Sequence, residues 1–276
     1  MKKPRIIRER KGERSERLGR DGKPVGAPSL GLIAMEMRAS WEWSAGVMSL
    51  PLIKNVPRGD GHPVLVFPGL GGGDLSTLVL RRFLKRNGFS PHPWNFGVNF
   101  GPRFGVLGGC LAHLKELHEW YGKKVSLVGW SLGGCYAREL AKLAPDYVRT
   151  VISMGSPFTG SPKANHAWRF FEMVCEQRVD DPELYNPMAD APPVPTTSIY
   201  SRTDGIVSWR CCVEKPGPLT ENIEVFASHF GLGVNPSALY AVADRLSQPE
   251  GQWKHFERKG LRKLVFGDPS RNGCFA

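Results

Sequence analysis

Apolar and polar positions along this chain switch between two periods, and the switching predicts an order of elements. Val64 to Phe67, inside "HPVLVFPG", is an unbroken apolar run of strand length, as in a sheet covered on both faces. Asp74 to Asn87 predicts a helix stopped by Gly88. "FSPHPWNF" predicts a second strand, "VLGGCLAHLKELHEWYG" a second helix and "KVSLVGW" a third strand. A helix from Leu132 to Leu143 follows at once. Three further strands, "VRTVISMGS", "TTSIYSRT" and "NIEVFAS", and a helix, "PSALYAVADRLS", close the series. Such regular alternation argues for an α/β fold, a mostly parallel sheet with helices on both faces.

Three segments stand outside that rhythm. Between Ser156 and Pro195 no strand is apparent; a helical piece, "NHAWRFFEMVCEQ", is followed by a Pro-rich return. A long, aromatic-containing excursion in a domain is usually functional, so residues 157–195 are expected to form a small cap over the strand ends. Leu30 to Leu52 predicts an amphipathic helix ended by Pro51. Docking on the main domain is the expected use, although its Met and Trp residues would also suit lipid. Residues 1–28 carry ten Lys or Arg against four Asp or Glu with few apolar residues, the composition of a disordered basic arm. The main domain is therefore expected to span residues 29–248, with a basic tail over 249–276.

Composition narrows the function classes. The 276 residues are 41% hydrophobic and 23% charged, ample for a full core. No apolar run approaches the ~18 residues of a membrane span, and the charged N-terminus has no signal-peptide core. The formal charge of +11 is concentrated in the arm and allows weak association with an anionic surface. No zinc-finger, helix-turn-helix or RNA-binding signature accompanies it, so no specific nucleic acid is expected. Six cysteines without a CxxC pair suggest reduced thiols and a cytoplasmic location.

The chemistry concentrates at the third strand's end. Gly129-Trp130-Ser131-Leu132-Gly133 matches G-x-S-x-G at a strand-to-helix junction. A serine on so sharp a turn projects its hydroxyl beyond the sheet, and side chains two residues before and after would collide across it. The helix that follows aims its N-terminal amides at the same point. A hydroxyl nucleophile needs a base, and the base a carboxylate, in the chain order Ser, acid, His. Of the later histidines, His166 lies in the cap and His255 in the tail, which leaves His229, just past the sixth strand. Asp204, past the fifth strand in "SRTDGIV", is the best-placed acid. Asp180, Asp181 and Asp190 fall in the cap, and Glu214 and Glu224 are weaker. Backbone amides of Leu70 (or Gly71) and Leu132 are expected to form an oxyanion hole. The glycines after the first strand miss the dinucleotide spacing, with Asp74 where a third glycine belongs. Trp130, Phe158, Trp168, Phe170 and Phe171 are candidate pocket residues.

Together "VFPGLGGGD", "GWSLGG", "MGSPFTG", "SRTDGIV" and "SHFGLGVNP" resemble the lipase and esterase branch of the α/β-hydrolase superfamily over about Pro63 to Leu246. Pro68 stands where that branch usually has histidine, and Trp130 where His or Tyr is commoner. "GSPFTG" is similar to the segment leading into the lid of bacterial lipases. The resemblance implies a serine hydrolase acting on carboxylic esters, small-molecule or lipid, without metal or organic cofactor. An acyltransferase, a thioesterase or an idle binding protein would share the same fold.

Overall fold

Burial on both faces is what short apolar runs require, and in the computed structural model such runs form the middle of a six-stranded parallel sheet. The structure describes residues 25–49, 53, 55–175, 178–179 and 186–269. The chain opens with α1 (Leu30–Met35), a 3₁₀ turn (Glu36–Arg38) and α2 (Ala39–Ser49). β1 (Pro63–Phe67) is followed by a 3₁₀ turn (Asp74–Thr77), α3 (Leu78–Arg86) and β2 (Ser90–Pro93). Next come α4 (Val106–Tyr121), β3 (Val125–Trp130), α5 (Leu132–Leu143) and β4 (Val148–Met154). After α6 (Trp168–Cys175) stand β5 (Thr196–Tyr200), β6 (Thr220–Glu224), α7 (Pro236–Leu246) and the short α8 (Arg262–Val265).

The strand order is β2-β1-β3-β4-β5-β6, so the winding reverses between β1 and β3. In open α/β sheets ligands bind beyond the strand ends at such a reversal. Alternate residues of each strand feed opposite cores. Val64, Val66, Val128 and Ile152 pack with Leu80 and Leu84 of α3 and Leu239 and Val242 of α7. Leu65, Phe67, Leu127 and Val151 pack with Leu114 and Leu117 of α4 and Ala137 and Leu140 of α5. The edge strand β2, "SPHP", tolerates two prolines because one side has no neighbour to bond.

Several boundaries differ from expectation. The first helix breaks at the 3₁₀ turn, where Glu36 is buried; Pro51 and residues 1–24 lie outside the described residues. The body begins earlier than residue 29, because Val25 is buried against Tyr200, Val207 and Cys211. The tail belongs to the domain through residue 269. Phe266 enters the core, and the amides of Phe256 and Gly267 donate to Glu221 and Glu224 of β6. β6 starts and ends earlier than expected, since Phe226 to Ser228 leave the sheet to meet the N-terminal helices. Between β4 and β5 stand α6 and a 3₁₀ turn (Asn186–Ala189); Asp180 and Asp181 fall outside the described residues.

A buried cation ties α5 to the chain returning from that excursion. Arg138 is paired with Glu214, donates to the carbonyls of Met188 (3.1 Å) and Asp190 (3.0 Å), and stacks 3.8 Å from the Phe158 ring centroid. Arg138→Met leaves the Glu214 carboxylate buried and unpaired, at a cost of about 3–5 kcal/mol. Urea unfolding is expected to show that loss, and Arg138→Met with Glu214→Leu to recover most of it.

Candidate active site

Ser131 holds φ +54° and ψ −124°, a left-handed conformation rare for residues other than glycine. Its amide donates to the Met154 carbonyl of β4 at 2.7 Å, which fixes the corner from the neighbouring strand. The flanking glycines are required by close approach. A Cβ on Gly129 would lie 2.3 Å from the Gly133 backbone, across the turn as anticipated. A Cβ on Gly133 would meet the Phe67 carbonyl oxygen at 2.4 Å, so that glycine admits the loop after β1 instead.

The three expected side chains come together beyond the strand ends. His229 Nδ1 stands 2.6 Å from Asp204 Oδ2, and Nε2 stands 3.0 Å from Ser131 Oγ. A carboxylate only accepts, so Nδ1–H is the donor and Nε2 is left to accept the serine proton. The other carboxylate oxygen of Asp204 accepts from the amides of Ile206 (2.9 Å) and Val207 (2.8 Å), which locks its rotamer. Burial by itself would depress the imidazole pKa. The charge and hydrogen bond of Asp204, with the charge of Glu36, outweigh it and hold His229 above its ordinary 6.5.

Glu36 had no signal in the sequence. Its carboxylate, buried beneath the first helix, accepts from the amides of Gly205 (2.8 Å), His229 (2.8 Å) and Phe230 (3.4 Å). One side chain thus grips the loops of both the acid and the base. Glu42 accepts from the Ser228 amide and hydroxyl, and Arg38 donates to Thr203 O (2.8 Å) and Oγ1 (2.9 Å). Gly205, legible only as a turn residue, is there because a Cβ would lie 2.2 Å from the Leu32 carbonyl oxygen.

A cavity of about 250 Å³ opens on the Ser131 hydroxyl. Its walls include Leu70, Leu132, Pro157, Trp168, Phe171 and Met188 and are mostly apolar. Trp168 and Phe171 therefore face it as expected. Trp130 does not: it is buried in the core beside α7, and its Nε1 donates to the His229 carbonyl at 3.1 Å. Phe158 is also excluded, being wholly buried between Cys135, Met188 and the Arg138 guanidinium. Phe170 points outward and is exposed.

Of the expected oxyanion donors, the Leu132 amide is the first of α5 and has no acceptor within the helix. The Leu70 amide carries no hydrogen bond among the described residues, whereas the Gly71 amide already donates to the Asn99 carbonyl at 2.7 Å. Leu70 and Leu132 remain as the available pair.

The rejected candidates are used elsewhere. His166 meets the Pro28 carbonyl at 2.9 Å, and His255 is exposed near Glu221. Glu224 pairs with Arg202, and Asp190 is exposed. Burial pushes the thiols of Cys110, Cys135 and Cys211 up to about 12, as core residues. Among the described residues no three His, Cys, Asp or Glu side chains converge to hold a metal ion.

A second Ser–His–Asp chain lies at the opposite end of the sheet, with His62 Nδ1 2.5 Å from Asp60 Oδ1 and Nε2 2.8 Å from Ser126 Oγ. Ser126 is fully buried within β3, and so is His62. Burial, then the charge of Arg149, pull His62 down to about 4. Matching distances without access make a structural network.

No protein-family model matches the chain. Among solved structures it is similar to the monoacylglycerol lipase of Paleococcus ferrophilus, at 17% identity and TM-score 0.50, covering 69% of this chain and 95% of that one. Aspergillus fumigatus lipase B is similar at 16% identity and TM-score 0.55, over 72% of this chain and 56% of that one. Bacillus licheniformis lipase BlEst2 in its mature form is 16% identical with TM-score 0.51, over 71% and 95%. The winding order, the reversal between β1 and β3 and these likenesses lead to one conclusion: the chain has the α/β-hydrolase fold.

Proposed function

We propose that this protein is a serine hydrolase that cleaves carboxylic esters through an acyl-enzyme. The observation that carries the reading is the Ser131–His229–Asp204 chain, at 3.0 and 2.6 Å, standing at the mouth of an apolar cavity. In this mechanism Ser131 attacks the ester carbonyl as its proton passes to His229 Nε2, and Asp204 stabilises the imidazolium. The Leu70 and Leu132 amides receive the developing alkoxide, each such donor contributing about 3 kcal/mol to transition-state stability. His229 then protonates the departing alcohol, and water, deprotonated by the same imidazole, releases the acid.

The nucleophile is tested with a fluorophosphonate probe and a series of nitrophenyl esters. Ser131 is expected to be labelled, and Ser131→Ala to lose labelling together with at least about 10³-fold in kcat. An unlabelled wild-type serine would instead indicate an idle binding protein. Because the cavity is small and apolar, kcat/KM is expected to rise about fourfold per added methylene and then level off once the cavity fills. Adding an alcohol or offering an acyl-CoA separates hydrolysis from acyl transfer and thioester cleavage, which would use the same residues.

The base must be neutral to take the serine proton, and its pKa is raised, so turnover is expected to climb with pH through a midpoint above 6.5. Glu36 contributes to that rise. Glu36→Gln is therefore expected to move the midpoint to lower pH while lowering kcat more than it changes KM. A purely structural role would lower the melting temperature and leave the midpoint in place.

A further inference from the structure

The segment that carries Glu36 is inside out. A helix on a protein surface normally turns its apolar stripe to the core and its charges to water. Here Glu36, Arg38 and Glu42 face the body and bond the loops after β5 and β6, while Gly46 presses on the Val234 carbonyl. The opposite face presents Leu30, Met37, Trp41 and Met48, which are 80, 84, 75 and 77% exposed. They are spread over α1, the 3₁₀ turn and α2, so each part of the segment contributes to the exposed face.

The apolar surface continues beyond the helix. Phe226 and Phe230, both exposed, flank it: the Arg38 guanidinium lies over the Phe226 ring, and Trp43 Nε1 donates to the Phe230 carbonyl at 3.0 Å. The loops that this segment holds carry Asp204 and His229, whose chain ends on Ser131 in the cavity wall. In the cavity wall α6 turns Trp168 and Phe171 inward and leaves Phe170 and Met173 exposed. The exposed Lys163 and Arg169 stand beside Trp168.

Charge distinguishes between covers for this face. Ten Lys or Arg and four Asp or Glu lie in residues 1–24, a few residues before Leu30, and the whole chain carries +11. A second copy would bring an equal positive charge against the same surface, whereas an anionic surface gains from every basic residue near it. We infer that this face binds an anionic lipid bilayer. Leu30, Met37, Trp41 and Met48 enter the boundary between headgroups and acyl chains, the helix lies in the plane of the interface, and the basic N-terminal residues meet the anionic headgroups. The mouth of the cavity then opens toward the lipid. The inference goes beyond ester hydrolysis and does not depend on it.

Flotation of the full chain with lipid vesicles tests this, using Ser131→Ala so that the vesicles are not consumed if the protein is a lipase. The protein is expected to float with vesicles of phosphatidylcholine and phosphatidylglycerol, and several-fold less with phosphatidylcholine alone or at high salt. Adding Met37→Ser and Trp41→Ser is expected to reduce the bound fraction at least about tenfold without shifting the melting temperature. Leu30→Ser with Met48→Ser provides an independent pair should the first disturb the fold, and brominated lipid should quench tryptophan emission in the unsubstituted face. Failure to float with anionic vesicles would overturn the inference. So would equal flotation of both substituted proteins, or a dimer in solution that Met37→Ser and Trp41→Ser return to monomer.

Discussion

The arrangement beyond the strand ends depends on how closely three stretches of backbone approach behind Ser131. Gly129 lets the turn close on itself, Gly133 admits the loop after β1, and Gly134 admits Ser156 after β4. Side chains at these positions would push β1, β3 and β4 apart where their carboxyl ends must converge. With them absent, α5 begins one residue after β3 ends and aims its first amides at the space before the serine. The positive φ of Ser131 is a local cost that the strand bond to Met154 and the packing of α5 offset.

The acid and the base are held differently, by an element that comes before the sheet. Loops after strands leave amides that need acceptors when buried. Glu36 and Glu42 supply them for Gly205, Ser228 and His229, so the loops of Asp204 and His229 share one anchor. A shared anchor keeps the separation of Asp204 and His229 from drifting independently. The Asp60–His62–Ser126 chain, whose histidine and serine are buried, has comparable distances and none of this setting. Access, free amides and charge balance distinguish the two networks.

Much of the framework was legible in the sequence because it follows from local rules. The central strands and their alternation with helices came from short apolar runs and glycine stops, and α5 from Leu132 to Leu143 matched to the residue. Ser131, Asp204 and His229 were legible because chain order and strand-end position limit the choices. The errors share a cause, which is long-range packing. Trp130 and Phe158 were assigned to the pocket by aromaticity, but the first is drawn under the histidine loop and the second beneath a buried guanidinium. Glu36 looked like one more charge on an amphipathic helix. Its role emerges only when residues 169 and 193 positions away are folded against it. The tail's place along β6 was hidden for the same reason: its polar composition masks Phe256 and Phe266, which pack as a pair.

That separation along the chain bears on how the protein is made. During synthesis the segment bearing Glu36 is translated well before the amides it holds, at Gly205, Ser228 and His229. Until β6 and the turn after it have been translated, a nascent chain has a carboxylate-studded helix with nothing to grip and a serine with no imidazole. The Ser131–His229–Asp204 chain therefore cannot close before the sheet is complete. The first helix among the described residues is also the last clasp to fasten.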